Sequence, residues 1–176
     1  VIYSIGVLAV LIVYSISIYN TIKRYTIKVD EALANIDGVL SKRYHVLTQS
    51  LEVTKAYVKY EKEVLLDLTR LRGNQDVKLR DEMIENVEQG LVRVNALGES
   101  YPELKASSVF LELQKAIVDT EETLLASRRI YNSNVSIYNQ RISVFPSSFI
   151  ASKMKVVERD YLKFDPSEIK NVEIDV

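Results

Sequence analysis

Apolar residues crowd the start of the chain and then thin into a helical period. Residues 1 to 19 read VIYSIGVLAVLIVYSISIY, with only Ser4, Gly6, Ser15 and Ser17 interrupting the apolar and aromatic positions, and no charge appears before Lys23. At about 1.5 Å of rise per residue, a helix of about 20 residues spans the roughly 30 Å hydrocarbon core of a bilayer. The pattern therefore predicts a transmembrane anchor over residues 1–22. From Ile27 to Leu71 apolar positions recur at steps of three, four or seven through Val29, Leu33, Ile36, Leu40, Leu47, Leu51, Val58, Leu65 and Leu68. That is the seam of a helix packed along its length, broken by no proline and weakened only by Gly38. Gly73-Asn74-Gln75-Asp76 predicts the stop, with Gly73 as the C′ residue and Asp76 as the next N-cap.

A second helix follows through Leu79, Met83, Val87, Leu91, Val94 and Leu97, ending near Gly98 and Tyr101-Pro102. In the third, Phe110, Ile117, Leu124, Tyr131, Tyr138 and Phe145 are spaced by sevens, as in a coiled-coil seam. Phe145-Pro146-Ser147-Ser148 closes it. The expected architecture is all-α: one N-terminal transmembrane helix continuing into a long antiparallel three-helix bundle, with a short irregular C-terminal tail. The bundle occupies 23–155, with helices at about 23–72, 76–99 and 103–145, and the tail 156–176. That tail, with Tyr161, Phe164, Val172 and Ile174, is expected to lie as an extended strap over the bundle. Because the first and third helices exceed the second, their ends must pack on each other as a two-helix stalk or bury their seams against another copy or partner.

Charge changes the picture in two places. Lys23, Arg24 and Lys28 follow the apolar run, with Tyr3 at one end and Tyr19 and Tyr25 at the other, as expected of rings at headgroup level. By the positive-inside tendency, this flank and the helical part after it lie in the cytoplasm. A cleaved signal peptide fits less well, since its apolar core is shorter and ends in a small-residue cleavage site. Over the whole chain 23 Lys+Arg oppose 24 Asp+Glu, so no clustered basic excess points to nucleic acid. The acidic stretch Asp81-Glu82, Glu85 and Glu88, like Glu61-Lys62-Glu63, reads as a solvated helix face.

Composition removes most chemistry. Without cysteine there is no disulfide, thiolate metal site or cysteine nucleophile, and one histidine, His45, is too few for a His-Glu-x-x-His or bundle di-iron site. A lone His45 on a helix reads as a surface residue. The five glycines stand apart and form neither a phosphate loop nor a Gly-x-Ser-x-Gly elbow. No cofactor, metal or small-molecule substrate is expected. Arg128, Asn132 and Asn139 lie along one stripe of the third helix, beside Arg129. They could form a ligand or lipid-headgroup site. The preferred reading is that they pair with Glu31, Asn35 or Asp37 of the first helix and fix the register of an apolar seam. Tyr131 and Tyr138 are expected in the core, with their hydroxyls reaching polar partners at its edge.

Ordered short motifs carry a resemblance. Tyr101-Pro102-Glu103-Leu104-Lys105 is followed by Phe110-Leu111, Leu113-Gln114, Glu121-Glu122, Ala126, Arg128-Arg129, Tyr131-Asn132, Tyr138-Asn139 and Phe145-Pro146. Upstream stand Tyr19-Asn20, Ala32, Asn35-Ile36-Asp37, Lys42-Arg43-Tyr44, Tyr57 and Glu61-Lys62-Glu63. Over essentially the whole chain the series resembles the LemA family of single-pass bacterial membrane proteins. The chain departs from the family where Val46-Leu47-Thr48-Gln49 lacks a common proline, where His45 replaces an acidic residue, and where Ser147 replaces a glycine. The resemblance implies a membrane-anchored helical domain without an established enzymatic activity. Some relatives are associated with membrane-compartment biogenesis, as in magnetosome formation, and some sit beside membrane proteases. The expected function is a non-catalytic scaffold or interaction protein, self-associating or bound to another membrane protein. Alternatives are an oligomeric membrane-remodelling protein and an accessory subunit of a membrane enzyme.

Overall fold

A computed structural model describes residues 2–55 and 76–163. Five helices follow one another: α1 (Ile2–Thr54), α2 (Val77–Ser100), α3 (Pro102–Lys105), α4 (Ser108–Ser143) and α5 (Ser147–Met154). The described residues contain no strand, so the chain is all-α as its periodicity predicts. Val58, Leu65, Leu68, Tyr57, Glu61-Lys62-Glu63 and Gly73-Asn74-Gln75 of the expected first helix and its stop lie outside the described residues. So do Phe164, Val172 and Ile174 of the expected strap.

Helix α1 is long and apolar enough to cross a membrane. Its most apolar 18-residue window has a mean hydropathy of 2.0 and is only 6% buried, which separates it from the core helix of a soluble protein. Tyr3 through Ser17 are exposed without exception. Burial begins abruptly at Ile22, which is 1% exposed.

The chain forms two compact units, one built from Val1–Val39 and Thr120–Asp160, the other from Leu40–Asp119 and Tyr161–Val176. In the first, the N-terminal part of α1 packs on the C-terminal part of α4. Val29, Leu33 and Ile36 on α1 and Leu124, Tyr131, Val135 and Tyr138 on α4 are all at most 5% exposed. Each such buried aliphatic side chain contributes about 1.5 to 3 kcal/mol. Contacts at Asn134 with Lys28 and at Tyr138 with Thr26 show the two helices running antiparallel.

In the second unit, Asp76 caps α2 by accepting a hydrogen bond from the Lys78 N–H at 2.9 Å. One face of α2 is buried through Val77, Met83, Ile84, Val87, Leu91 and Val94. Two glycines on that face permit close approach. A Cβ on Gly90 would stand 2.7 Å from Leu47 Cδ2, and one on Gly98 would stand 2.7 Å from Phe110 Cε1. Helix α2 ends at Ser100 with Tyr101 as its C-cap, near Gly98 and Tyr101-Pro102 as expected, and Gly98 in its last turn is also a packing site. Gln114 Nε2 donates to Asn95 Oδ1 at 2.8 Å beside that contact, and Lys42 pairs with Asp119 at 3.0 Å.

Three local expectations are corrected. The single third helix is divided, because after α3 the Ser107 carbonyl accepts the Leu111 N–H at 3.0 Å and opens α4 afresh. Serine favours that half-helical N-cap position. Phe145, the last member of the sevenfold series, is 82% exposed, because α4 ends at Ser143 and the chain turns at Pro146 before the next turn of seam can form. A short helix, α5, that the periodicity did not predict follows the turn and ends at Lys155 in the left-handed region, φ 53°.

Candidate functional site

The densest polar arrangement in the first unit lies where the segment after α5 runs back along α4. Residues Val156 to Asp160 belong to neither helix nor strand. Tyr138 Oη donates to the Val157 carbonyl at 3.0 Å and Tyr131 Oη to the Asp160 carbonyl at 3.0 Å. Seven residues apart on one helix face, the two tyrosines bury their rings and hold the segment by their hydroxyls. Between them Asn139 makes a two-way pair with the main chain of Arg159: Nδ2 donates to its carbonyl and Oδ1 accepts its N–H, each at 2.9 Å. Arg159 then reaches α1, where its Nη2 donates to Asp30 Oδ1 at 3.2 Å. Ser143 Oγ adds a bond to Glu158 Oε1 at 3.1 Å.

Burial pushes the Tyr138 phenol above its ordinary value of 10.0, with the Arg159 guanidinium pulling the other way. A folded pKa raised above the unfolded one contributes stability that is fully present below pH 10.0 and is lost as pH climbs through the folded value. Tyr138→Phe is therefore expected to cost about 1 kcal/mol at neutral pH through the lost bond to Val157. It should also flatten the loss of stability in the alkaline limb. Circular-dichroism melting of both chains from neutral to strongly alkaline pH checks both parts.

The stripe of Arg128, Asn132 and Asn139 is thus partly reassigned. Asn139 binds the strap rather than Glu31, Asn35 or Asp37, since the strap's main chain presents a donor and an acceptor together. Asn35 is exposed, Asp37 and Asn132 are half-buried, and Arg128 is 7% exposed. The last three all take part in interactions of their own. Beside the apolar run of α1, Tyr19, Lys23, Arg24 and Lys28 are exposed and Tyr25 half-buried, with the Lys28 ammonium 5.5 Å from the Tyr25 ring centre.

In the second unit the acidic face of α2 is not uniformly solvated. Glu82 and Glu85 are exposed, but Glu88 Oε1 accepts from Arg43 Nη2 at 2.6 Å, and Asp81 Oδ1 accepts the Lys163 N–H at 3.3 Å. Arg43 is 1% exposed. It occupies the seam position between Leu40 and Leu47, where an apolar pattern search passes over a charged residue. A guanidinium so placed requires an anionic partner.

Among the described residues no group of three or more His, Cys, Asp or Glu side chains could hold a metal ion, and His45 is exposed. A shallow groove lined by Tyr3, Gly6, Val7, Val10 and Leu11 lies on the apolar run of α1. It offers no convergent acid and base.

Among curated proteins, Protein LemA of Metamycoplasma hominis is 27% identical over 161 residues, an alignment that takes in 89% of this chain and 73% of that protein. The LemA family model matches residues 32–176, beginning inside α1 just after the basic flank and including the tyrosines and Asn139 that hold the strap. Since that match covers most of the chain, the chain belongs to the LemA family.

Proposed function

We propose that the chain is a non-catalytic, membrane-anchored helical scaffold, which inserts the start of α1 into the bilayer and holds a second copy or another membrane protein beside it. The observation that carries this reading is the continuity of α1. The same helix is exposed and apolar from Tyr3 to Ile16, then buries Ile22, Val29, Ala32, Leu33 and Ile36 in the folded unit. An unbroken helix transmits orientation from bilayer to folded unit, and confinement to a membrane raises local concentration so that weak lateral contacts suffice. Lys23, Arg24 and Lys28 favour the cytoplasmic side for the folded part. Apolar residues left exposed along α4, among them Val118, Ile130 and Val144, support a lateral contact.

A second reading is membrane remodelling by an oligomer. It is favoured by the basic and aromatic end of the first unit, where Phe145 and Phe149 are 82% and 66% exposed. The test is the mass of the complex extracted directly into native-lipid nanodiscs at low expression, with co-purifying proteins identified. A discrete homo-oligomer supports self-assembly and favours remodelling. A stoichiometric complex with another membrane protein supports a scaffold or accessory subunit, for example of a protease. A lone monomer overturns the scaffold reading.

A further inference from the structure

We infer that the α4–α5 corner is a second membrane contact, in which Phe145 and Phe149 insert at the headgroup level of an anionic bilayer. This rests on the proposed anchoring by α1. The corner's height along α1 follows from contacts within the first unit. Asn134 Nδ2 donates to the Lys28 carbonyl at 3.3 Å, and Tyr138 lies against Thr26. Helix α4 therefore runs back toward the start of α1. Helix α4 continues for five residues beyond Tyr138, about 8 Å, and two residues after its end at Ser143 the chain reaches Phe145. An equal count of residues back from Thr26 along α1 reaches Tyr19. Buried Ile142 and buried Ile22 mark the last packed level before it, at 8% and 1% exposure. The corner thus stands where protein packing on α1 ends and its exposed apolar run begins.

The corner's surface suits that position. Helix α5 is fastened to the unit by Ala151, 3% exposed, whereas Phe149, two residues earlier and about 200° round the helix, is 66% exposed. Phe145 at 82% is still more open, and the Lys153 ammonium lies 5.8 Å from the Phe149 ring centre. Two large exposed aromatics four residues apart, one in the turn and one in the first turn of α5, with a lysine folded over the second, have the amphipathic character of an interfacial element.

Charge identifies the occupant. No acidic residue occurs from Val1 to Val29 or from Thr123 to Val157. Around this end of the unit Lys23, Arg24, Lys28, Arg141, Lys153 and Lys155 are all exposed. A collar of six exposed cations, against which the nearest acids are Glu158, bonded to Ser143, and Asp30, paired with Arg159, surrounds an aromatic tip beside an apolar helix and matches an anionic phospholipid surface. A second contact of this kind would fix the tilt of α1 and of the unit it carries.

The chain lacks tryptophan, so one introduced residue reports its own surroundings. Phe149→Trp, Val10→Trp and Ile130→Trp are each made in the full chain and reconstituted into phosphatidylcholine–phosphatidylglycerol vesicles with and without acyl-chain bromination. Val10 lies in the apolar run, and Ile130 is an exposed α4 residue about 22 Å of helix from Phe145. The expected result is that Val10→Trp loses most of its emission, Phe149→Trp is blue-shifted and loses a smaller but clear fraction, and Ile130→Trp is unaffected. Replacing phosphatidylglycerol with phosphatidylcholine should weaken the Phe149→Trp quenching, and quenching that is indifferent to lipid charge overturns the assignment to an anionic surface. Phe149→Trp emission like that of Ile130→Trp, with Val10→Trp quenched, overturns the second contact and leaves the anchor standing. Unquenched Val10→Trp removes the anchor reading and this inference with it. Equal quenching at all three positions also overturns it, because the corner would then be no more inserted than the rest of the unit.

Discussion

Leu33→Pro is expected to abolish lateral association while leaving the chain inserted in the membrane. Leu33 is 5% exposed in the interior of a helix that runs from Ile2 to Thr54. Proline there removes the N–H that bonds to the Val29 carbonyl and sets its ring against that carbonyl, costing about 3 kcal/mol or more. Losing the leucine packing adds about 2 to 4 kcal/mol. The apolar run upstream is untouched, so resistance to alkaline carbonate extraction should persist. Leu33→Ala separates the two effects, since it removes packing but keeps the helix continuous and should retain association at reduced thermal stability. Cross-linking of the three chains in their native membrane is the measurement. Association of Leu33→Pro at the unsubstituted level would remove continuity of α1 as the basis of scaffolding.

The second large effect is expected at Glu88. Its carboxylate, 2.6 Å from Arg43 Nη2, is 39% exposed, whereas the Arg43 side chain is 1% exposed. Glu88→Ala leaves a buried guanidinium without its anion. A fully buried pair broken on one side costs about 3 to 5 kcal/mol, and water reaching the half-open Glu88 side places this one nearer about 2 to 3 kcal/mol. Arg43 also has other interactions, which soften the loss further. Replacing both partners with apolar residues, Arg43→Met with Glu88→Leu, should recover most of the stability, since desolvation of both ions is then avoided. Thermal unfolding of the single and double variants in one detergent checks this. A double variant as unstable as Glu88→Ala would mean that the pair is held for more than its mutual attraction.

Both effects lie at positions the hydrophobic pattern treats very differently. Leu33 belongs to a series legible from spacing alone, and Val29, Ile36, Leu40 and Leu47 of that series are likewise buried. Phe110, Ile117, Leu124, Tyr131 and Tyr138 are buried in the same way, because a repeat of seven brings each residue back to nearly one stripe of the helix. Arg43 was invisible to that reading. A charged residue carries no apolar signal, and its partner on α2 lies 45 residues away. The strap is similar. Tyr131 and Tyr138 were legible as core residues with polar ends, but their acceptors lie 29 and 19 residues further on, across a turn whose direction no local pattern encodes. Phe145 followed the period and left the core all the same, since a heptad buries its residue only while the helix continues.

The kind of molecule is legible in the order of residues: an apolar helix without charges, an all-α body, the stripes its helices bury, the absence of thiol and paired-histidine chemistry, and the family resemblance. These follow from local properties, namely side-chain polarity, helical period and residue count, which need no knowledge of what lies opposite. Folding in three dimensions is what gives Asn139 main chain to hold, sets Glu88 against a buried arginine, and returns the end of α4 to the level where the apolar run of α1 emerges. Each depends on which distant segments are brought within about 3 Å, and hydrogen bonds and ion pairs have no reach beyond contact with which to mark their partners in the sequence.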